Sequence, residues 1–266
     1  MNDILKAIIL GIVEGVTEFL PISSTGHLIL VNQFISFDEQ FTKMFDIVIQ
    51  FGAILSVVVF FRNKLLPFKK SDIVEKNQVY DIWKKAIVGV IPALFVGVLL
   101  KKHIEELLFN PLTVAIALVI GGIALILLEN RKKDDKIQTI AALNCKTALI
   151  IGTIQCFAMI PGTSRSAATI IGAMLLGCSR IVAVEFSFYL AIPTMAAASA
   201  YSFLKSGIAL SLSEFTVLSV GFVVSFLVAW IVIAGFMSFI SKRDFKLFGY
   251  YRIILGGIVL LMFLLK

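Results

Sequence analysis

The chain has 266 residues, of which 59% are hydrophobic and 15% are charged, and its formal net charge is +7. This apolar content excludes an ordinary soluble domain, and the apolar runs of helix length exclude a transmembrane β-barrel. The positive charge does not indicate nucleic-acid binding, because basic residues in a membrane protein mostly set its topology. The composition therefore predicts an all-α integral membrane protein.

The first apolar stretch is broken in the middle. Residues 4–20 and 25–35 are each shorter than the roughly 20 residues that a spanning helix needs, and Pro21 lies between them. The serines after the proline are suitable N-caps for the second piece. Irregular backbone at membrane depth is tolerated only where it is buried or lines a wet cavity. We therefore predict a re-entrant helical hairpin near residues 4–35.

Polar side chains gather at this break. Glu14 and Glu18 are four residues apart, so they share one face of a helix. His27, one of only two histidines, follows the turn. An ionised carboxylate in hydrocarbon costs on the order of several kcal/mol. Nothing structural requires two carboxylates here, so the stretch is interpreted as a functional site.

Spans and polar stretches then alternate. Residues 44–61 are long enough to cross a bilayer, and residues 62–85 are predicted to be a loop. Two further spans are predicted at about 86–100 and 111–128. A second polar loop is predicted over residues 129–146.

The pattern then restarts. Segments of the second half resemble segments of the first half in the same order. Residues 148–155 resemble 7–14, and Pro161-Gly162-Thr163-Ser164 resembles Pro21-Ile22-Ser23-Ser24 after a one-residue slip. Glu185 then corresponds to Asp46, and Gly256-Gly257 to Gly121-Gly122. We predict one membrane domain over residues 1–266, made of repeat 1 (1–130) and an inverted repeat 2 (145–266). Each half would hold one re-entrant hairpin, the second near 146–177, and three transmembrane helices.

The basic residues predict the orientation. The side that holds the N-terminus receives six lysines, and the opposite side receives 17 lysines and arginines, Arg252 among them. Arg165 is left over inside the membrane. The positive-inside rule places the basic side in the cytoplasm, so the first hairpin dips from outside and the second from inside. The tips of the two hairpins, around residues 21–25 and 161–169, would meet near the bilayer midplane.

The two tips together predict a phosphate site. Arg165 at the start of a helix combines a fixed cation with main-chain donors, and arginine binds phosphate through two parallel hydrogen bonds. The tips add hydroxyl groups that could contact the phosphate: Ser23, Thr25, Thr163, Ser164 and Ser166. Glu14 and Glu18 at the edge could hold a divalent cation or move protons. His27, three residues after Ser24, is a candidate general base.

Structural roles compete with these functional ones. Serine, threonine and glycine are common packing residues in membrane helices. Arg165 could simply neutralise Glu14 or Glu18, and His27 could be a hydrogen-bonded core residue. These alternatives stay open at the level of sequence.

The motif from Glu14 to His27, together with Pro161-Gly-Thr-Ser-Arg-Ser166, resembles the undecaprenyl-diphosphate phosphatase (bacitracin-resistance) family. The resemblance implies a multi-pass enzyme of the bacterial plasma membrane that hydrolyses undecaprenyl diphosphate with Mg²⁺ or Ca²⁺. It thereby recycles the lipid carrier of peptidoglycan synthesis. The family's functional positions fall on these residues: Glu14, Glu18, Ser24, Thr25, His27, Ser164 and Arg165. Ala167 stands where the family usually has glycine.

The preferred mechanism has Ser24 attack the terminal phosphorus while His27 or a glutamate accepts its proton. Metal-activated water or His27 as the nucleophile is left open. The competing function is a transporter or flippase for a phospholipid or small anion, because inverted repeats with broken helices are a transporter architecture. The expected partners are a polyprenyl diphosphate and membrane lipid, with a homodimer left open. The site is expected to open to the outer side.

Overall fold

The computed structural model describes residues 2–70, 72–131, 135–206 and 210–265, which are helical apart from loops and one isolated bridge between Ile137 and Cys178. The helices run in this order: α1 (Asp3–Thr17), α2 (Ser24–Val31), α3 (Glu39–Phe60), α4 (Arg62–Leu65), α5 (Ile73–Leu108), α6 (Pro111–Asn130), α7 (Cys145–Gln155), α8 (Arg165–Leu175), α9 (Arg180–Ser206), α10 (Leu212–Ile240) and α11 (Lys246–Leu264). Short 3₁₀ helices occupy Pro67–Lys69 and Cys156–Met159.

Six of the described helices are long and apolar enough to cross a membrane: α3, α5, α6, α9, α10 and α11. Three lie in each half of the chain, as the sequence predicts. The predicted span 111–128 agrees with α6, and 44–61 agrees with α3, which begins five residues earlier at Glu39. The all-α, multi-pass membrane class is therefore confirmed.

The prediction of a loop over residues 62–85 is wrong. The chain is helical from Ile73 onward, and α5 continues through Pro92 to Leu108. Glu75, Asn77 and Gln78 near the start of α5 are exposed, but later polar residues of this segment contact the rest of the fold. Lys85 is 3% exposed and pairs with Asp81 one turn earlier. Trp83 Nε1 also donates to the carbonyl of Leu65 at 2.9 Å.

Two helices break where the sequence places polar residues. After α1, a turn leads to Ser23, which has a φ of 74° and N-caps α2. After α7, the chain passes through Gly162, with a φ of 91°, to Ser164, which has a φ of 71° and N-caps α8. Ser23 and Ser164 are the two non-glycine residues with positive φ in the described part of the chain. Such strained positions cluster at functional sites.

Close helix crossings hold the broken helices in the protein interior. α1 packs on α10, and α7 packs on α5. At the second crossing a Cβ on Gly152 would lie 1.8 Å from the carbonyl oxygen of Gly89, so only glycine allows the backbones to come this close. Phe19, just after α1, is fully buried and makes an edge-to-face contact with Phe188 of α9. The turns after α1 and α7 are therefore set among buried helices.

Candidate active site

The first turn brings a serine onto a carboxylate. Glu18 follows the last residue of α1, and Ser24 is the first residue of α2. Because the chain reverses between them, Ser24 Oγ donates a hydrogen bond to Glu18 Oε2 at 2.5 Å. The Glu18 side chain is only 6% exposed. A short hydrogen bond from a hydroxyl to a buried carboxylate is the arrangement that a nucleophile and its general base require.

The second tip brings a cation to the same carboxylate. Arg165 Nη2 donates to Glu18 Oε1 at 2.9 Å, across 147 positions of sequence. Its Nη1 donates to the carbonyl of Ser187 in α9 at 3.1 Å, and the guanidinium lies over the ring of Phe19. The alternative that Arg165 neutralises a glutamate is thus realised for Glu18. Arg165 Nε is buried without a hydrogen-bond partner in the described structure, so the guanidinium keeps a free donor.

The hydroxyl groups of the tips divide into two kinds. Ser23 and Ser166 are buried, and their oxygens are used within the protein: Ser23 Oγ accepts from the Gly26 amide, and Ser166 Oγ donates to the carbonyl of Leu20 at 2.9 Å. Of these two predicted substrate contacts, Ser23 therefore caps α2 and Ser166 joins the second tip to the first. Thr25 is exposed and Ser24 is partly exposed, so these two hydroxyls are more accessible than those of Ser23 and Ser166.

On the second tip, Ser164 and Thr163 are partly exposed. Ser164 Oγ accepts from the Ala167 amide and lies 3.0 Å from Ser166 Oγ. The Thr163 carbonyl accepts from Arg252. Ala167, where the resembling family usually has glycine, is 1% exposed, and its methyl group fits in the packed start of α8.

Arg252 is the residue that sequence reasoning missed. The positive-inside rule predicts that it lies on the basic side, but it is 0% exposed in the second turn of α11. Its guanidinium donates to five main-chain carbonyl oxygens: those of Pro21, Ala117, Leu118, Gly162 and Thr163. The guanidinium therefore ties both tips to α6. A Cβ on Gly121 would lie 2.3 Å from Nη2, so this glycine makes room for it.

His27, the candidate general base, is bonded to residues other than Ser24. Its Nδ1 lies 2.7 Å from the carbonyl oxygen of Ser23, and its Nε2 lies 2.6 Å from the hydroxyl of Tyr251 in α11. Both ring nitrogens are therefore engaged, and neither of these contacts is with Ser24. Tyr251, like Arg252, carried no motif that marked it in the sequence.

Glu14 is the unpaired carboxylate of the site. It is 1% exposed, and neither of its oxygens has a hydrogen-bond partner in the described structure. Within the described residues, no three His, Cys, Asp or Glu side chains form a cluster able to hold a metal ion. A cation at Glu14 would have one or two protein carboxylates as ligands and would take its other oxygens from phosphate groups or water.

Comparisons with known proteins give one family. A family model described as "Bacitracin resistance protein BacA" matches residues 7–258. "Undecaprenyl-diphosphatase 1" of Clostridioides difficile (strain 630) is 52% identical over 99% of this chain and 97% of its own length. "Undecaprenyl-diphosphatase" of Acetivibrio thermocellus is 49% identical over 99% of both chains. "Undecaprenyl-diphosphatase" of Enterococcus faecalis is 48% identical over 98% of this chain and 97% of its own length.

Proposed function

This chain belongs to the bacitracin resistance protein BacA family, and we propose that it is an undecaprenyl-diphosphatase. It hydrolyses undecaprenyl diphosphate to undecaprenyl phosphate and inorganic phosphate, which returns the lipid carrier to peptidoglycan synthesis and confers resistance to bacitracin. Relatives that are about half identical over nearly the whole chain bear this name. The observation that carries the proposal for this chain is the connection of Ser24, Glu18 and Arg165 by hydrogen bonds.

In the first half-reaction Ser24 Oγ attacks the terminal phosphorus. Its proton passes to Glu18 Oε2, the oxygen with which it already shares a short hydrogen bond. The bond from phosphorus to the bridging oxygen breaks, and undecaprenyl phosphate leaves. Ser24 is favoured over His27 as the nucleophile because Ser24 Oγ already shares a short hydrogen bond with a carboxylate that can take its proton, whereas His27 is bonded to the Ser23 carbonyl and the Tyr251 hydroxyl.

Arg165 and the two helix starts stabilise the transferring group. Charge accumulates on the equatorial oxygens of the phosphoryl group, so fixed donors around it lower the barrier. Arg165 has an unused Nε donor, and its Nη2 can exchange Glu18 for a phosphate oxygen. The first turns of α2 and α8 add main-chain N–H groups that no helical carbonyl accepts. Ser24, Thr25, Ser164 and Thr163 lie around this space.

The second half-reaction needs a different base. Glu18 now carries the proton of Ser24 and returns it to Oγ when the phosphoserine is cleaved. A second group must therefore take a proton from the attacking water. His27 lies one helical turn after Ser24, on the same face of α2, and its Nδ1–H is held by Ser23, which leaves Nε2 as the acceptor. We assign His27 this role.

Glu14, with its free oxygens, is the residue that fits a divalent cation. Mg²⁺ or Ca²⁺ would neutralise the diphosphate there. The oxygens of Glu18 already serve Ser24 and Arg165, so Glu18 contributes less to the cation than Glu14 does. A site built from one carboxylate and substrate phosphates binds the cation and the lipid together.

Glu14→Gln and Glu18→Gln should therefore differ. Glu14→Gln should raise the Mg²⁺ concentration for half-maximal activity by roughly tenfold or more, because it loses the anionic ligand. Glu18→Gln should slow turnover by about 10²- to 10⁴-fold at every metal concentration, as expected for loss of a general base. Phosphate release across a metal titration measures both effects. If both variants kept the wild-type rate and metal response, the glutamates would be structural partners of Arg165.

The phosphatase proposal is tested against the transporter alternative by one assay. Purified protein in detergent should release inorganic phosphate from undecaprenyl diphosphate, whereas a transporter or flippase needs sealed vesicles and releases none. Absence of phosphate release by folded, metal-supplied protein would favour transport at the same anion site.

The architecture that we propose is an inverted repeat with two re-entrant hairpins. The N-caps Ser23 and Ser164 share a positive φ, and they are 141 positions apart. This is also the separation of residues 7–14 from 148–155, so the two halves align without the slip that the sequence comparison introduced. Glu14 and Gln155, also 141 apart, are both buried next to their breaks.

Helix packing supports the same symmetry. In the proposed repeat α1 corresponds to α7, α3 to α9, α5 to α10 and α6 to α11. Exchanging the members of each pair turns the contact of α1 with α10 into that of α7 with α5, and both contacts are present. The contact of α3 with α10 likewise corresponds to that of α9 with α5. The contacts of α6 with α11 and of α3 with α9 map onto themselves, as pairs across a twofold axis would.

The orientation follows from the charges and stays a proposal. With Arg252 moved to the interior, the basic side still holds 16 lysines and arginines against six. The first hairpin then dips from the outer face, and the diphosphate enters from outside. The homodimer stays a prediction.

Cysteine labelling tests the orientation. Ser36 is exposed in the loop after α2, whereas Asp38 caps α3 and is better left intact. In a background without native cysteines, Ser36→Cys should react with an impermeant maleimide in intact cells. Asn77→Cys, exposed at the opposite end of the spans, should react only after permeabilisation. The reverse result would overturn the orientation and the side of lipid entry.

A further inference from the structure

Tyr251 of α11 is in direct contact with His27. The Tyr251 hydroxyl lies 2.6 Å from Nε2, and the two rings are parallel within 5°, with centroids 5.6 Å apart. On its other side the imidazole contacts Ser23, whose carbonyl oxygen lies 2.7 Å from Nδ1. The ring is therefore held at both nitrogens and across one face.

These partners determine the tautomer of His27. A carbonyl oxygen can only accept, so Nδ1 must carry a hydrogen. In the neutral ring Nε2 is then the acceptor, and the Tyr251 hydroxyl must be the donor. The contact reserves the Nε2 lone pair for a hydrogen-bond donor.

Tyr251 is itself set firmly. Its neighbour Arg252 is 0% exposed and bound to five carbonyls, which fixes this turn of α11 against both tips. The Tyr251 side chain is nevertheless 43% exposed. The backbone of Tyr251 is therefore fixed, while its phenol ring is partly accessible where it contacts His27.

We propose that Tyr251 is the positioning residue for His27 in the second half-reaction, an inference that rests on the proposed function. Until the phosphoserine has formed, the Tyr251 hydroxyl holds the ring in place with Nε2 as the acceptor. The attacking water then takes the place of the hydroxyl as the donor to Nε2. As its oxygen bonds to phosphorus, its proton moves to Nε2. The bond from phosphorus to Ser24 Oγ breaks, Oγ takes back the proton from Glu18, and inorganic phosphate leaves with the proton from Nε2 as dihydrogen phosphate.

Tyr251→Phe tests this with little change in packing, because it removes the hydroxyl and keeps the ring. Turnover should fall roughly tenfold and KM should fall with it, while kcat/KM stays within about twofold of the wild-type value, because only the step after phosphoserine formation is slowed. Phosphorylated Ser24 should accumulate during turnover, because only its hydrolysis is slowed. Tyr250→Phe, at the exposed neighbouring position, is the matched control and should behave as wild type.

Two further measurements separate positioning from a general loss of stability. In protein labelled with ¹⁵N-histidine, the His27 Nε2 resonance should shift in Tyr251→Phe and stay in place in Tyr250→Phe. His103, the other histidine, is an internal reference. In a His27→Gln background, Tyr251→Phe should cause no further loss, because its effect acts through the imidazole.

The outcomes distinguish this inference from the phosphatase assignment. If the wild type releases phosphate but Tyr251→Phe turns over normally, or slows the His27→Gln protein by the same factor, the Tyr251 role is wrong and the assignment stands. An unchanged Nε2 resonance in Tyr251→Phe also overturns the role. A wild type that releases no phosphate overturns both.

Discussion

Replacing Ser24 with alanine is expected to lower phosphate release from undecaprenyl diphosphate by about four orders of magnitude or more, as for other catalytic nucleophiles. The substitution removes the hydroxyl that donates to Glu18 Oε2 at 2.5 Å. Glu18 would keep its contact with Arg165 but would have no hydroxyl to deprotonate. Affinity for the lipid should change less than about threefold, because a nucleophile contributes to the transition state more than to substrate binding.

The measurement pairs phosphate release with lipid binding on the same protein preparation. Ser36→Ala, in the exposed loop after α2, is the matched control and should retain wild-type turnover. A Ser24→Ala protein that bound lipid and hydrolysed it at the normal rate would exclude Ser24 as the nucleophile. Activated water or His27 would then take that role.

The breaks in the helices could be predicted because they are local. Pro21 interrupts an apolar run that is too short to span, and the serines after it are natural N-caps. The repeat extends the same pattern to Pro161-Gly162-Thr163-Ser164. The spans could be predicted for the same reason, since length and apolarity are properties of single segments. The contact of Arg165 with Glu18 required more, but the repeat and the charge count were enough to bring the two tips together.

The residues of α11 could not be predicted in this way. Arg252 follows basic Lys246 at the start of a span, where positive residues are normally cytoplasmic. Its burial depends on carbonyls that the two turns and α6 supply, and on the space left by Gly121. The match of Gly121-Gly122 with Gly256-Gly257 was the one signal of close packing between α6 and α11, but glycine pairs do not identify which charge lies beside them.

The different roles of the hydroxyl groups also could not be predicted from the sequence. Ser23 and Ser24 are adjacent and chemically equal, but only Ser24 reaches Glu18, because the positive φ of Ser23 turns its side chain back onto the α2 amides. The start of α5 was not predicted either, because its polar residues have the composition of a loop. The sequence does not indicate that one of them, Lys85, is buried.

Arg165 offers the second large effect. Arg165→Lys keeps the charge but has one nitrogen in place of the fork that contacts Glu18 at 2.9 Å and the Ser187 carbonyl at 3.1 Å. Losing one buried charge-assisted contact costs about 1.5–3 kcal/mol, which corresponds to roughly a 10- to 150-fold loss in kcat/KM. If Arg165→Lys were fully active, the paired geometry would be irrelevant and Arg165 would act only as a diffuse positive charge.

Arg165→Ala should be worse than Arg165→Lys. The sequence suggested that Arg165 is the only intramembrane cation, but Arg252 is also buried there. Arg252 does not compensate, because its guanidinium is already bound to five carbonyls and has no carboxylate among them. Glu18 would remain buried without a counter-charge, which typically costs about 3–5 kcal/mol of stability. The melting temperature and kcat/KM should therefore both fall.

Arg180→Lys is the control that separates loss of an arginine fork from loss of the site. Arg180 binds both oxygens of Glu129, at distances of 2.6–3.3 Å, away from the two tips. Its replacement by lysine should lower stability while kcat/KM stays near the wild-type value. Equal losses of kcat/KM in Arg180→Lys and Arg165→Lys would mean that the Arg165 effect is structural. A loss confined to Arg165 variants would show that its two-pronged contact acts on the reaction itself and not through overall stability.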